Sequence, residues 1–302
     1  MKRLIKNYTY LQEHPYKHYT VNRCAFQIAQ LATRAILYEV SCYPAPGLVT
    51  PISNGAHHDM HYFTFLDSTA ALVKYLILFA EAGFSEDKPS EIFRTIRQIG
   101  LDAEQDMFKA TSGVNTHKGM VFLLGISCAA TAKAIYEKME FAQVSDIIRE
   151  MTFGIIKQDL QLLSKDKIKS NGEKLYHDHG LTGVRGEVEA GIPSVFLSGL
   201  PFYRENKDLA INDVLLQTLL KIMTICDDTT IVHRHSISVL EQVKQQATSI
   251  LKCGGVRTAT GRIRIKELEE TFIKRHISPG GSADLLAVTV FFDSVEQCEQ
   301  LW

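Results

Sequence analysis

The chain has 302 residues, of which 45% are hydrophobic and 22% are charged, and its formal net charge is -1. This is the composition of a globular protein, and it excludes proteins that hold nucleic acid through a general excess of positive charge. The six cysteines form no C-x-x-C pair, which predicts reduced thiols and a cytoplasmic protein. No signal-peptide core and no charge-free run of membrane-spanning length is present, so we expect no membrane partner.

Helical periodicity runs through the whole chain. Apolar residues recur three and four positions apart, and alternating strand patterns are almost absent. The sequence therefore predicts an all-α fold: a single domain over 1–302 with about ten helices and a buried central helix. We expect long irregular stretches at 43–61 and 164–185. The helical segments are predicted near 20–42, 63–82, 88–109, 117–139, 143–164, 186–199, 208–226, 229–252, 262–276 and 282–292.

Two acids in the first quarter of the chain are candidate functional residues. Glu39 lies on the apolar stripe of its helix and near the helix carboxyl end, where the dipole disfavours an anion. It is expected to face a cation or a metal, unless the helix frays there. Asp59 follows two histidines in "NGAHHDMH" and is the better metal candidate of that group, because Mg²⁺ prefers carboxylate oxygens.

The stretch "TSGVNTHKGMVFLLG", residues 111–125, puts Asn115, His117 and Lys118 before a long apolar run. Thr116 or Ser112 is expected to cap the helix that starts here. A lysine adds positive charge to an already positive helix terminus, which indicates a bound anion. A capped core helix with an exposed lysine is the alternative.

Glycines surround a second charged group in "GLTGVRGEVEAGIP", residues 180–193. Arg185 and Glu189 are spaced to pair on a helix, and Glu187 would face elsewhere. So many glycines weaken a helix, which indicates close backbone packing or a bound ligand.

Two further helix starts carry polar residues. In "CDDTTIVHRHS", residues 226–236, Asp227 is expected to cap a helix; the two acids suit Mg²⁺, and Arg234 suits phosphate oxygens. In "SPGGSADLLAV", residues 278–288, Ser282 is expected to cap a helix that follows Gly280 and Gly281. Several such starts converging on one polyanion would bind a nucleoside triphosphate.

The motifs resemble, in order, those of the triphosphoribosyl-dephospho-CoA synthase family, which serves citrate lyase and, in a close relative, malonate decarboxylase. The resemblance runs from about residue 36 to about residue 290. The segments that carry it are "EVSCYPAPGLV", "NGAHHDM", "VNTHKG", "GVRGEVEAGIPSVF", "DDTTIVHR" and "SPGGSADLLAV".

The resemblance implies an all-α enzyme that transfers the 5-triphosphoribosyl group of ATP to the ribose 2′-hydroxyl of 3′-dephospho-CoA and releases adenine. The product would be the prosthetic-group precursor for the lyase's acyl carrier protein, and oligomers are possible. Glu39 or Glu187 would be the catalytic carboxylate. ATP or CoA phosphates would be bound by Asn115, His117, Lys118, Arg185, Arg234, Gly280, Gly281 and Ser282. Mg²⁺ would be held by Asp59, Asp227 and Asp228.

The chain departs from the family pattern mainly in one loop. Ala45 and Thr50 stand where the pattern has Lys and Asp, and His61 stands where a further acid is common. Two alternatives stay open on this basis. One is an all-α, Mg²⁺-dependent hydrolase of N-ribosyl bonds, such as an ADP-ribosyl hydrolase. The other is a degenerate paralogue that binds nucleotide without turnover.

Overall fold

The computed structural model describes residues 11–13, 20–162, 168 and 170–302 of the protein. It confirms the all-α prediction. A short antiparallel pair of three-residue strands, β1 (Leu11–Glu13) and β2 (Thr20–Asn22), precedes the helices. The α-helices of the described residues are α1 (Arg23–Ser41), α2 (Tyr62–Gly83), α3 (Pro89–Ala110), α4 (Lys118–Tyr136), α5 (Val144–Thr152), α6 (Asn171–His179), α7 (Gly183–Glu189), α8 (Leu200–Glu205), α9 (Ile211–Met223), α10 (Thr229–Arg234), α11 (Ile237–Lys252), α12 (Ala259–Arg275) and α13 (Gly280–Glu296).

Helix α4 is the predicted buried central helix. Nearly every residue from Met120 to Ile135 is buried, so the helix has no polar face. It packs against α2, α3, α5 and α13. The approach to α2 is close because Gly83 has no side chain: a methyl group there would lie 2.2 Å from the Ala129 carbonyl oxygen.

Helices α2 and α4 are both long and apolar enough to cross a membrane by length and composition, contrary to the expectation that no segment would be. The core helix of a globular protein can have the same length and composition. Here α4 is enclosed by neighbouring helices, which accounts for its composition without a bilayer.

Three helix predictions were wrong in their boundaries. The segment 143–164 is not one helix, because α5 ends at Thr152 and a π-helical turn follows at Lys157–Gln161. The segment 186–199 holds only the end of α7 and a π-helical turn at Ser194–Gly199. The segment 229–252 is divided into α10 and α11, because Ser236 adopts an extended conformation and caps α11.

The stretch 164–185 was predicted to be irregular; residues 164–167 and 169 lie outside the described residues, and the rest contains α6 and the start of α7. Ser170 and Glu173 form a capping box at the amino end of α6, and Gly180 ends the helix with φ +72°. The polar composition concealed this helix, since its only buried residue is Leu175. The stretch 43–61 is irregular, as predicted.

Candidate active site

A single carboxylate joins two helix amino termini. Asp228 is the N-cap of α10, and its Oδ1 accepts hydrogen bonds from the amides of Thr230 (3.0 Å) and Ile231 (3.4 Å). Its Oδ2 accepts from the amide (2.8 Å) and the hydroxyl (3.0 Å) of Ser282 in α13. Burial raises the pKa of Asp228, and these hydrogen bonds oppose the rise. We call Asp228 with its partners the joint cap.

The joint cap corrects two predictions. The cap of α10 is Asp228, not Asp227, because the helix begins one residue later than expected. Ser282 does not cap its own helix, which starts at Gly280, and instead donates to Asp228. Gly281 lies directly over the same carboxylate, since a methyl group added there would be 3.2 Å from it. Asp228 and Ser282 therefore have structural partners.

A cleft of about 240 Å³ opens beside the joint cap. Its walls come from α7, from the residues that precede α10 and from the start of α13. Of the predicted site residues, it brings together Glu187, Asp227, Asp228 and Gly281; its other lining residues are Ile156, Thr182, Gly183, Val184, Gly186, Pro193, Cys226, Thr229 and Leu285.

Two acids in the cleft are already paired. Glu187 accepts hydrogen bonds from the hydroxyl (2.5 Å) and the amide (3.3 Å) of Ser194. Burial raises the pKa of Glu187, against the effect of these bonds. Asp227 is largely exposed and lies 2.6 Å from the Lys244 ammonium group. Both acids can therefore face a ligand without the cost of a buried, unpaired charge.

Two acids of another kind lie on α1 and α13. Glu39, near the carboxyl end of α1, is 5% exposed, and its carboxyl group has no hydrogen-bond or ion-pair partner among the described residues. Asp284, in the second turn of α13, is half-buried and likewise has no such partner in the described ranges. Burial raises the pKa of Glu39 to about 8. Burial, and then the charges of Glu39 and Asp228, raise the pKa of Asp284. We call Glu39 and Asp284 the carboxyl pair.

The amino terminus of α4 faces the carboxyl pair. Gly119 packs against Asp284, since a methyl group added to Gly119 would lie 2.1 Å from Asp284 Oδ2. Lys118, the preceding residue, forms an ion pair with Glu104 of α3 at 2.8 Å. Sequence reasoning missed Glu104, because nothing in α3 indicates which residue it faces. The predicted caps Thr116 and Ser112 are wrong, since Asn115 Oδ1 accepts from the Lys118 amide.

His117 is enclosed at the same helix start. Its Nδ1 lies 2.6 Å from the Ser68 hydroxyl, which also accepts a hydrogen bond from Thr116. Burial lowers the pKa of His117 to about 3, so the imidazole is neutral. Its Nε2 is buried without a partner among the described residues.

The loop 43–61 contributes His57 to a separate contact. Arg234 donates to His57 Nδ1 at 3.2 Å, and His57 Nε2 lies 2.9 Å from the Ser278 hydroxyl, just before α13. Because arginine can only donate, His57 holds its proton on Nε2. Burial and the Arg234 charge lower the pKa of His57 to about 4. Asp59, 3.9 Å from His57, is largely exposed.

The departures from the family pattern have structural explanations in this loop. Ala45 and Thr50 are buried, at 2% and 1% exposure, so charged side chains do not suit these positions in this chain. His61 caps α2, with Nδ1 accepting from the Thr64 amide.

Arg185 does not pair with Glu189 as predicted. It lies 3.2 Å from Asp159 and 3.8 Å from Glu173. Glu189 instead accepts hydrogen bonds from the amides of Gly154 and Ile156, ahead of the first π-helical turn. These partners are remote in sequence, so helical spacing alone could not predict them.

The predicted Mg²⁺ ligands do not fit a metal site of their own. Asp59 and Asp227 are largely exposed, and the oxygens of Asp228 are taken up by the joint cap. No group of three or more His, Cys, Asp or Glu side chains within the described residues is placed to hold a metal ion. The requirement for Mg²⁺ stays a prediction.

Comparison with known proteins decides the family. The family model for ATP:dephospho-CoA triphosphoribosyl transferase matches residues 25–302. The chain belongs to this family. A relative from Lactiplantibacillus plantarum is 41% identical over 269 residues, which is 87% of this chain and 95% of the relative. A Vibrio cholerae relative is 37% identical over 268 residues, 87% of this chain and 86% of its own.

A third relative, from Streptococcus mutans, is 34% identical over 288 residues, 89% of this chain and 96% of the relative. All three carry the name "Probable 2-(5''-triphosphoribosyl)-3'-dephosphocoenzyme-A synthase". No solved structure matches the chain.

Proposed function

We propose that this chain transfers the 5-triphosphoribosyl group of ATP to the ribose 2′-hydroxyl of 3′-dephospho-CoA and releases adenine. The observation that carries the proposal is the family match over residues 25–302, supported by relatives of 34–41% identity over most of their length. A transferase of this family has to hold a triphosphate, position a sugar hydroxyl and protect a cationic sugar from water.

Cationic groups for the phosphates lie around the joint cap and at the start of α4. Arg234 is held by His57, which fixes the direction of its guanidinium group without removing its charge. Lys118 is half-exposed and forms an ion pair with Glu104. We assign Arg234 and Lys118 to the triphosphate or to the CoA pyrophosphate. Asn115 and His117 orient the lysine and the helix start.

Two predicted phosphate contacts change their role in this proposal. The Ser282 amide and hydroxyl already donate to Asp228, and Gly281 covers the same carboxylate. These residues build the cleft wall rather than donate to phosphate. Arg185, bound to Asp159 and Glu173, holds α7 in place in the same way. Glu187 faces the cleft, where its carboxylate would stabilise a cationic sugar.

The test is a reaction with a matched acceptor. The protein is incubated with Mg²⁺, ATP and dephospho-CoA, adenine is measured by chromatography, and the mass gain of the CoA species is measured by mass spectrometry. We expect equal amounts of adenine and product. The control acceptor is 2′-deoxy-dephospho-CoA, which lacks the attacking hydroxyl and should give neither.

Other outcomes identify the alternatives. Adenine formed equally well without an acceptor would indicate a hydrolase of the N-ribosyl bond. Calorimetric binding of ATP with Mg²⁺, but no adenine with any acceptor, would indicate a nucleotide-binding paralogue. We further propose a single-domain cytoplasmic enzyme whose product serves the acyl carrier protein of a lyase.

A further inference from the structure

The cleft beside the joint cap is lined by acids and not by cations. Three of its described lining residues are acidic, Glu187, Asp227 and Asp228, and none of the described ones is a lysine, an arginine or a histidine. A triphosphate carries several negative charges, which these acids would repel. The cleft therefore suits a part of the nucleotide that is neutral or that becomes cationic during the reaction. In the proposed function that part is the ribose of ATP.

The unpartnered polar groups of the cleft match a sugar. The hydroxyl groups of Thr182 and Thr229 line the cleft, and neither takes part in a hydrogen bond with another described residue. Asp227 uses Oδ1 to accept from Lys244, and its Oδ2 has no partner among the residues that the structure describes. A sugar hydroxyl can donate to a carboxylate oxygen and accept from a threonine hydroxyl at the same time.

The size of the cleft agrees with this assignment. Its volume of about 240 Å³ lies below the roughly 300–1,000 Å³ of pockets that enclose a whole drug-sized ligand. It has room for one sugar and part of a base, but not for a complete nucleotide. The phosphates would then lie outside the cleft, where cationic side chains such as Arg234 are available.

The Asp227 carboxylate is held in one orientation although 60% of the side chain is exposed. Its neighbours in the chain are fixed, because Cys226 is buried and Asp228 anchors the joint cap. Lys244 of α11 donates to Asp227 Oδ1 at 2.6 Å, and the lysine side chain is only 19% exposed. A short bond between charged groups fixes the direction of the carboxylate. One oriented oxygen is therefore left for a ligand.

We propose that Asp227 recognises the donor ATP by accepting a hydrogen bond on Oδ2 from the 2′-hydroxyl of its ribose, and that Lys244 is the positioning residue for this carboxylate. This inference rests on the proposed function. The 2′-hydroxyl is adjacent to C1′, the carbon that becomes cationic, and Glu187, which would stabilise that charge, lines the same cleft. A hydrogen bond from this hydroxyl strengthens as the sugar approaches the transition state.

The test compares three donors, ATP, 2′-deoxy-ATP and 3′-deoxy-ATP, in the wild type and in Asp227→Ala. For each protein we take the ratio of kcat/KM for ATP to kcat/KM for the deoxy donor. Asp227→Ala should lower the ratio for 2′-deoxy-ATP about 10-fold or more, the size expected for one hydrogen bond to a charged group. The ratio for 3′-deoxy-ATP should stay within about twofold. Comparing ratios between proteins cancels the intrinsic difference in reactivity of the donors.

The role of Lys244 is tested by the same ratio. Lys244→Met should lower the ratio for 2′-deoxy-ATP, because the carboxylate loses its fixed direction, and Lys244→Arg should keep most of it. A lysine with only a structural role would lower the rates with all donors equally and leave the ratio unchanged.

The matched control is Asp208→Ala. Asp208 is 62% exposed and pairs with Arg257 at 2.6 Å, as Asp227 pairs with Lys244, but it does not line the cleft. Its ratios should equal those of the wild type. Circular dichroism melting curves establish that each variant is folded before its rates are used.

The outcomes separate this inference from the proposed function. If the wild type forms neither adenine nor the CoA product, the proposed function fails, and the ratio is then measured by calorimetry as Kd for 2′-deoxy-ATP over Kd for ATP. A fall of this ratio in Asp227→Ala supports the inference without turnover. A ratio unchanged by Asp227→Ala overturns the inference, and so does an equal change for both deoxy donors. An unchanged ratio with a higher requirement for Mg²⁺ would identify Asp227 as a metal ligand instead.

Discussion

The joint cap and the carboxyl pair each include a residue of α13, Ser282 and Asp284, but their acids differ in the hydrogen bonds that they receive. Asp228 receives hydrogen bonds from three residues on two helices. Glu39 and Asp284 receive none from the described residues, although Glu39 is almost as deeply buried as Asp228. Asp228 and Glu39 therefore differ little in burial, and the supply of hydrogen-bond donors is what separates them.

This difference separates an acid that stabilises the fold from acids whose oxygens have no partner among the described residues. A carboxylate with its lone pairs filled stabilises the fold and has little capacity left for a ligand. A buried carboxyl group without donors keeps its proton and its capacity to react. Both kinds occur in the family motifs of this chain, so membership of a motif does not by itself assign a role.

The largest expected effect on stability concerns the joint cap. Asp228→Ala should lower the free energy of unfolding by about 3 kcal/mol or more, because it leaves several buried amides without acceptors. Denaturant titration measures this. Asp228→Asn, which keeps one acceptor oxygen, should lose less, and Asp227→Ala should lose under about 1 kcal/mol as an exposed pair. If Asp228→Ala lowers the free energy of unfolding only slightly, Asp228 does not stabilise the fold and does not differ from the carboxyl pair in this respect.

The next effect concerns the pH dependence of stability. The pKa of Glu39 is about 8 in the folded protein against 4.5 as its ordinary value. Between these values the folded state holds a proton that the unfolded state has released, so stability falls as pH rises, by about 1.4 kcal/mol per pH unit. Glu39→Gln should remove the contribution of Glu39 to this slope between pH 5 and pH 8, whereas the contribution of Asp284, whose pKa burial also raises, should remain.

The control for this slope is Asp67→Asn, which alters an exposed acid of α2. Its curve of unfolding free energy against pH should parallel that of the wild type. If Glu39→Gln also parallels the wild type, Glu39 has a partner that keeps it ionised, and its contrast with Asp228 disappears.

The smallest effect on stability concerns Lys118. Because Lys118 and Glu104 form a partly exposed ion pair, Lys118→Ala should change the free energy of unfolding by under about 0.5 kcal/mol. It should nevertheless raise KM for ATP several-fold. Lys109→Ala, which alters an exposed lysine of α3 paired with Asp106, should change neither quantity. An unchanged KM for Lys118→Ala would assign that lysine to the surface.

Local patterns were enough to predict the helical class, the central helix and three polar segments that line the cleft, 180–193, 226–236 and 278–288. They failed where a partner is remote in sequence. Nothing in the motifs indicates that Lys118 faces Glu104, or that Arg185 faces Asp159 rather than Glu189. Single residues also decided the boundaries: Ser236 separates α10 from α11, although the apolar period continues across it.

The same limit explains Asp284. In sequence it is an acid in the first turns of a helix, where the dipole alone accounts for it. Only the packing of α1 and α4 against α13 shows that it lies beside Glu39 and Gly119. No role was consequently assigned to Asp284 from the sequence, whereas the cap residue Ser282 was assigned one.

The ion pairs of Arg185 have a consequence for how the enzyme responds to salt. They fasten α7, which carries Glu187 into the cleft, to Asp159 and to Glu173 of α6. Added electrolyte weakens partly exposed pairs of this kind as well as the attraction of phosphates to cations. A fall in the affinity for ATP as ionic strength rises would thus have two causes. One is the screening of the charges on the nucleotide, and the other is the weaker attachment of α7, which forms one wall of the cleft.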